Sequence, residues 1–231
     1  MDFDLSEDLR ILKASVREFA AAEIAPVAAS LERESRFPRE ILKKLAGLGI
    51  LGMIIPEEYG GAGFGAISSA IVLEEIAAAC ASTAVTVSVH NTACAGPIAR
   101  FGTGAQKKKY LPPMARGDFL GGFALTEPSA GSDAAAIRTR AVRKGDRYVL
   151  NGTKSWITNV HEGGVYVLMA STDPARGSRG ITAFLVEPSF PGFRFGKDED
   201  KMGLRASLTG EISLTDCEVP AGNVLAEEGM G

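Results

Sequence analysis

The sequence predicts an α+β, multi-domain chain, with an all-helical N-terminal domain followed by a middle domain of short strands. Three observations carry this. Apolar residues recur at three- and four-residue steps through the first half, and from Asp118 short β-leaning runs separated by turn signals replace them. The third is quantity: at 231 residues and 45% hydrophobic, the chain can bury one large core or two smaller ones.

The helices follow in order. Ser6 ahead of Glu7 and Asp8 marks a helix start, with acidic residues near the positive end of the dipole. Leu9, Leu12, Val16, Phe19, Ala20, Ile24, Val27 and Leu31 trace one helical face, bent near Pro26. Pro38 opens a second helix through Ile41, Leu42 and Leu45 that ends at Gly47 and Gly49. A loop rich in residues without steric demands, Glu57 to Gly63, comes next. Residues 67–81, 83–101 and 104–114 read as three more helices. A boundary near Gly117 divides the chain into 1–117 and 118–231.

Strands are expected over 119–125, 137–142, 148–150, 154–157, 165–171, 181–186 and 211–214. Lys144-Gly145-Asp146 and Asn151-Gly152 supply turns, the second being a strong hairpin signal. Strands at this spacing form a small barrel or sandwich.

Composition removes several function classes. A net charge of −3 without a long one-sign block argues against nucleic-acid binding through a basic face, and Lys107-Lys108-Lys109 reads as a solvated helix face. Cys80, Cys94 and Cys217 show no paired spacing, and His90 and His161 form no ligand cluster, so neither disulfides nor a metal are expected. The opening MDFDLSEDLR is acidic and resembles neither a secretory signal nor an Arg-rich transit peptide. It predicts a cytoplasmic protein or a processed mitochondrial-matrix one. Residues 76–99 carry no formal charge and have the length of a membrane span. However, Ser82, Thr83, Thr86, Ser88, His90, Asn91 and Thr92 suit a helix buried inside protein, and no span is expected.

Two stretches carry the chemistry. In FALTEPSAGSD, residues 123–133, an apolar run stops at hydroxyls and small residues. Such a loop can cradle a phosphate through backbone N–H groups, although on its own an ordinary proline-initiated turn is the simpler reading. In KSWITN, residues 154–159, strand alternation places the only tryptophan, Trp156, on the same face as Thr158. A broad π-surface beside a hydroxyl suits a flat heteroaromatic ligand, and the alternative is a core tryptophan near a strand end.

LTEPSAGSD, NGTKSWITN and KMGLRAS ahead of DCEVPAGNVL, in that order and at similar spacing, resemble the acyl-CoA dehydrogenase family. YGGAGFG, QKKKYLPPMARGD and GITAFLVEPSFPG fit the same resemblance, and HNTACAGPIARFG with GTKSWITN resembles the short-chain, butyryl-type branch. The resemblance spans essentially the whole chain. It implies a helical domain, a middle β-barrel and a C-terminal four-helix bundle that is absent from these residues. It also implies FAD, a fatty acyl-CoA substrate, an electron-transferring flavoprotein as acceptor and a homotetramer.

Carried over by position, the resemblance places Phe123, Leu125 and Thr126 along the flavin, with Gly131 and Ser132 at the cofactor's pyrophosphate. Trp156, Ile157 and Thr158 flank its redox end, and Ser132 also lies near the thioester. Thr86, Val89, His90 and Ala93 would line the acyl pocket, and Ser178 would meet the CoA portion. For His90 a satisfied core histidine is the equal alternative.

The implied reaction removes the proton α to the thioester carbonyl and passes hydride from the β carbon to the flavin, giving a trans-2-enoyl-CoA. It needs a positioned carboxylate base. The family's base is a glutamate of the C-terminal bundle, so no catalytic residue is expected within this chain, and Glu127 matches no catalytic position. A non-catalytic flavin- or acyl-CoA-binding module and a flavin oxidase on the same scaffold are the alternative readings.

Overall fold

Residues 4–231 are described in a computed structural model, and the acidic opening at Asp2 lies outside the described residues. Ser6 caps α1 (Glu7–Phe19), its side chain accepting from the Leu9 N–H as the sequence predicts. The bend expected at Pro26 is absorbed one turn earlier. A π-helical turn, Ala20–Ile24, widens the backbone before α2 (Ala25–Arg33), so the missing proline N–H falls in the first turn of a new segment. Next come α3 (Arg39–Gly47), α4 (Ala66–Ala79) and α5 (Ala81–Ser88). A π-helical segment, Val89–Ala95, then α6 (Gly96–Phe101) and α7 (Gly104–Arg116) complete the helices. The uncharged run is therefore broken at Cys80, whose backbone is extended, and again by the π segment. Among the described residues no helix is long and apolar enough to cross a membrane.

Eight strands follow: β1 (Leu120–Ala124), β2 (Arg140–Lys144), β3 (Arg147–Thr158), β4 (Gly163–Ser171), β5 (Ile181–Val186), β6 (Phe193–Asp198), β7 (Thr209–Pro220) and β8 (Val224–Leu225). They form one sheet in the order β6-β7-β3-β2-β4-β5-β8, and β1 joins β4 in parallel. The sheet wraps one core built on Tyr148, Leu150, Tyr166, Phe184, Ile212 and Val219. The hydrogen-bonded path runs from β6 to β8 and wraps this core, the β domain that the sequence predicts after the helices.

Asn151-Gly152 does not turn the chain. It lies inside the twelve-residue β3, where the register shifts between Leu150 and Gly152. The Asn151 amide bridges to Asp216 on β7, and a Cβ at Gly152 would stand 2.4 Å from Thr139 Oγ1. The pair marks a bulge demanded by close packing. The hairpin signal at Lys144-Gly145-Asp146 does join β2 to β3.

Both faces of β4 and β5 are buried, which explains their continuous apolar runs. One face points into the sheet's core. The other carries Val165, Val167, Ala183 and Leu185 against Cys94, Ala95, Ile98, Leu111 and Met114 of the helices. Glu32 of α2 extends this junction by accepting from Ser82 Oγ and from the Arg205 and Ala206 N–H groups. Lys109 of the lysine run pairs with Glu187 at 2.6 Å.

Candidate functional site

The ends of β1 and β3 meet at the candidate site. The Ser155 N–H donates to the Thr126 carbonyl at 2.9 Å, and Lys154 Nζ donates to the Leu125 carbonyl at 2.9 Å. Lys154 also donates to Glu127 Oε1 at 2.8 Å, and both side chains are sealed from solvent. Glu127 accepts in addition from the Arg138 and Thr139 N–H groups at 2.6 and 2.9 Å. Burial alone would raise the Glu127 carboxyl, but the bonds from Lys154, Thr139 and Arg138 outweigh it and hold the carboxyl below its ordinary range. Burial also pulls the Lys154 ammonium below its ordinary value, against the opposing pull of Glu127. Glu127 is thus a committed structural carboxylate, with no free geometry for proton abstraction.

This clamp organises what lies above it. Between Lys154 and Ile157 the register of β3 shifts, and Trp156 adopts φ 62°, a conformation costly for a bulky side chain. Trp156 is consequently 56% exposed while its neighbours Ser155 and Ile157 are buried. Thr126 and Thr158 are half-buried beside it, and neither hydroxyl has a partner among the described residues. An exposed indole face, two open hydroxyls and a glycine-bearing loop form a donor set that fits a planar heteroaromatic cofactor with a pyrophosphate tail.

The remaining expected residues divide clearly. Phe123 packs toward the helices, in the layer formed by Cys94, Ala95 and Met114. Ile157 faces the sheet core, so only its backbone can reach a ligand. Glu127 and Ala130 close a tight turn, after which Gly131 and Ser132 stand exposed. Ser178 is exposed on the Pro174–Gly180 turn. Val89 and Ala93 are half-buried on the π segment, which packs beside β1.

Thr86 and His90 are fully buried. Thr86 Oγ1 contacts Ser207 Oγ at 3.4 Å, and its carbonyl accepts from Asn159. His90 Nε2 lies 2.9 Å from the Leu51 carbonyl, and Nδ1 accepts from the Gly121 N–H at 3.0 Å, which fixes the Nε2–H tautomer. Burial lowers its pKa to about 4, although the bond to Leu51 works the other way. His90 is a satisfied core histidine joining helix to sheet, with no ring nitrogen left for a ligand. Sequence reasoning missed Lys154 and Asn159. The available signal was a lone lysine in a strand of apolar bias, following a motif that places an acid, Glu127, directly at a strand end.

Two family descriptions match the chain: "Acyl-CoA dehydrogenase, N-terminal domain" over residues 6–118 and "Acyl-CoA dehydrogenase, middle domain" over 122–217. The chain belongs to the acyl-CoA dehydrogenase family. Short-chain specific acyl-CoA dehydrogenase of Mus musculus is 48% identical over 228 residues, covering 99% of this chain and 55% of that protein. Butyryl-CoA dehydrogenase from Megasphaera elsdenii has the same fold, with a TM-score of 0.94 and 41% identity, covering 100% of this chain and 61% of that one. A glutaryl-CoA dehydrogenase from Mycobacterium smegmatis, solved in complex with FADH2, superposes with a TM-score of 0.90 at 38% identity over 98% of this chain and 57% of that one. The chain thus spans little more than half the length of these acyl-CoA dehydrogenases.

Proposed function

We propose that the chain forms the FAD- and acyl-CoA-binding part of an acyl-CoA dehydrogenase that converts a short-chain acyl-CoA to the trans-2-enoyl-CoA. The observation that carries the reading is the joined end of β1 and β3, where the Lys154–Glu127 clamp holds an exposed Trp156 beside the open Thr126 and Thr158 hydroxyls. The division into 1–117 and 118–231 is supported by Gly117, left-handed at φ 73°, where α7 ends.

When bound, FAD supplies the two-electron chemistry. The protein's own groups do the rest. Trp156 would cover one aromatic face of the cofactor, Leu125, Thr126 and Thr158 would offer hydrogen bonds at its polar edges, and Gly131 and Ser132 would admit the pyrophosphate. Val89 and Ala93 border the acyl group, while Ser132 and Ser178 lie along the CoA arm. Glu127, the acid at the end of β1, is committed to Lys154 and to the Arg138 and Thr139 N–H groups. The α-proton is therefore assigned to a glutamate beyond these residues, in a helical bundle that also completes a homotetramer. An electron-transferring flavoprotein is the proposed acceptor, in the cytoplasm or the mitochondrial matrix.

The test is the anaerobic visible spectrum of the full-length protein before and after butyryl-CoA. Bleaching of a flavin band supports the reading. A bound flavin that persists with every acyl-CoA leaves a binding module, and rapid reoxidation by oxygen indicates an oxidase.

A further inference from the structure

Lys154 and Glu127 are an ion pair with both partners sealed from solvent. Other withdrawn acids, Glu75, Glu162 and Glu187, hold cations that stay open to water. A fully buried pair adds little stability over well-packed apolar residues of the same volume. The charge on Lys154 therefore invites a second explanation, and its other contact supplies one.

Besides the carboxylate, Lys154 Nζ donates to the Leu125 carbonyl at 2.9 Å. That carbonyl belongs to the peptide joining Leu125 to Thr126. The peptide is planar and trans, so the Thr126 N–H points the opposite way, away from the lysine. This N–H has no partner among the described residues, and Thr126 is half-buried beside the exposed Trp156. An ammonium bonded to one end of a peptide draws electron density from the other, and does so most strongly where water is excluded. The Thr126 N–H is thus a strengthened donor. The Glu127 carboxylate is held back from this peptide by the Arg138 and Thr139 N–H groups, at 2.6 and 2.9 Å.

We propose that Lys154 is a positioning residue for the redox chemistry: through the Leu125–Thr126 peptide it presents a polarised N–H to a bound flavin and favours the reduced ring over the oxidised one. The inference rests on the reading of the platform as an FAD site. The hydride leaving the β carbon carries two electrons and one proton, while the α-proton leaves on the base. The ring therefore gains one negative charge. A donor fixed in advance, with a buried cation behind it, stabilises that charge without reorganising at the moment of transfer. Glu127 sets how much of the cation is felt.

The experiment measures the two-electron potential of FAD on the full-length protein against that of free FAD, with FAD affinity measured alongside. Measurements are made at pH 6 to favour the charged lysine. Wild-type protein is expected to hold reduced FAD at least about tenfold more tightly than oxidised FAD, a potential raised by about 30 mV. Lys154→Gln, which keeps a donor but loses the charge, should lower that preference about tenfold. Glu127→Gln, which removes the counter-charge, should raise it. A merely structural role weakens both oxidation states together and leaves the potential where it was. Lys154→Met/Glu127→Leu, apolar on both sides, should lower the preference about threefold and decides the matter if a single variant folds poorly. An unchanged potential in Lys154→Gln or in the double variant overturns the inference and leaves the FAD reading intact, as do shifts of one sign in both single variants. Wild-type protein that prefers oxidised FAD overturns it without any variant. Wild-type protein that holds no FAD overturns the reading of the platform as well.

Discussion

Lys154 and Glu127 meet at 2.8 Å with side chains 0% and 4% exposed, and their contact ties the end of β1 to β3 beneath the candidate site. Neither residue reaches the platform's outer surface. Together they decide where Leu125, Thr126 and Trp156 stand.

Removing one partner strands a buried charge. Lys154→Met or Glu127→Gln is expected to cost about 3–5 kcal/mol in denaturant unfolding. Lys154→Met combined with Glu127→Leu should recover part of that loss, though the Arg138 and Thr139 N–H groups stay unpaired. Single variants within about 1 kcal/mol of wild type would show that the pair is not structural.

His90 predicts an acid-sensitive stability. Its folded pKa is about 4, below the ordinary 6.5, so between these values the unfolded chain binds more protons. Stability from this group is present above 6.5 and declines as pH falls toward 4, by at most about 3 kcal/mol. A glutamine can donate to Leu51 and accept from Gly121 without titrating, so His90→Gln should flatten this limb of the stability–pH curve. An unchanged limb would assign it to other groups.

Trp156 is the chain's only tryptophan, and its fluorescence therefore reports directly on the platform. Titration with FAD should quench it. Trp156→Gly should weaken flavin binding while relieving the φ 62° strain, leaving the apo-protein as stable as wild type or about 1 kcal/mol more so. Flavin affinity indifferent to this substitution would remove Trp156 from the cofactor site.

Gly121 sets the spacing between helices and sheet. A Cβ there would stand 2.5 Å from Cys94 Sγ and 2.7 Å from Met114 Cε. Gly121→Ala is expected to destabilise by about 1–3 kcal/mol, and Cys94→Ala should restore part of the loss by making room. Calorimetric unfolding of the two variants checks both.

Much of the candidate site was legible along the chain because the residues proposed for it sit in two short local stretches. FALTEPSAGSD marks a strand that stops, and KSWITN places an aromatic next to a hydroxyl. Other features were not legible. Asn151-Gly152 carries the composition of a hairpin, yet pairing with β7 and the press of Thr139 make it a bulge within β3. His90 and Thr86 have the spacing of a pocket wall, but spacing cannot tell which helix face meets protein and which meets a ligand.

The sequence by itself determined the change from helical to strand periodicity, the helix start at Ser6 and the two motifs of the platform, because all of these rest on local spacing and backbone preference. Only the tertiary structure decided that Glu127 is neutralised by a lysine 27 residues away and that Trp156 is turned outward by a bulge. Burial and charge pairing are set by which distant segments come together, and that is fixed by packing, not by neighbours in sequence.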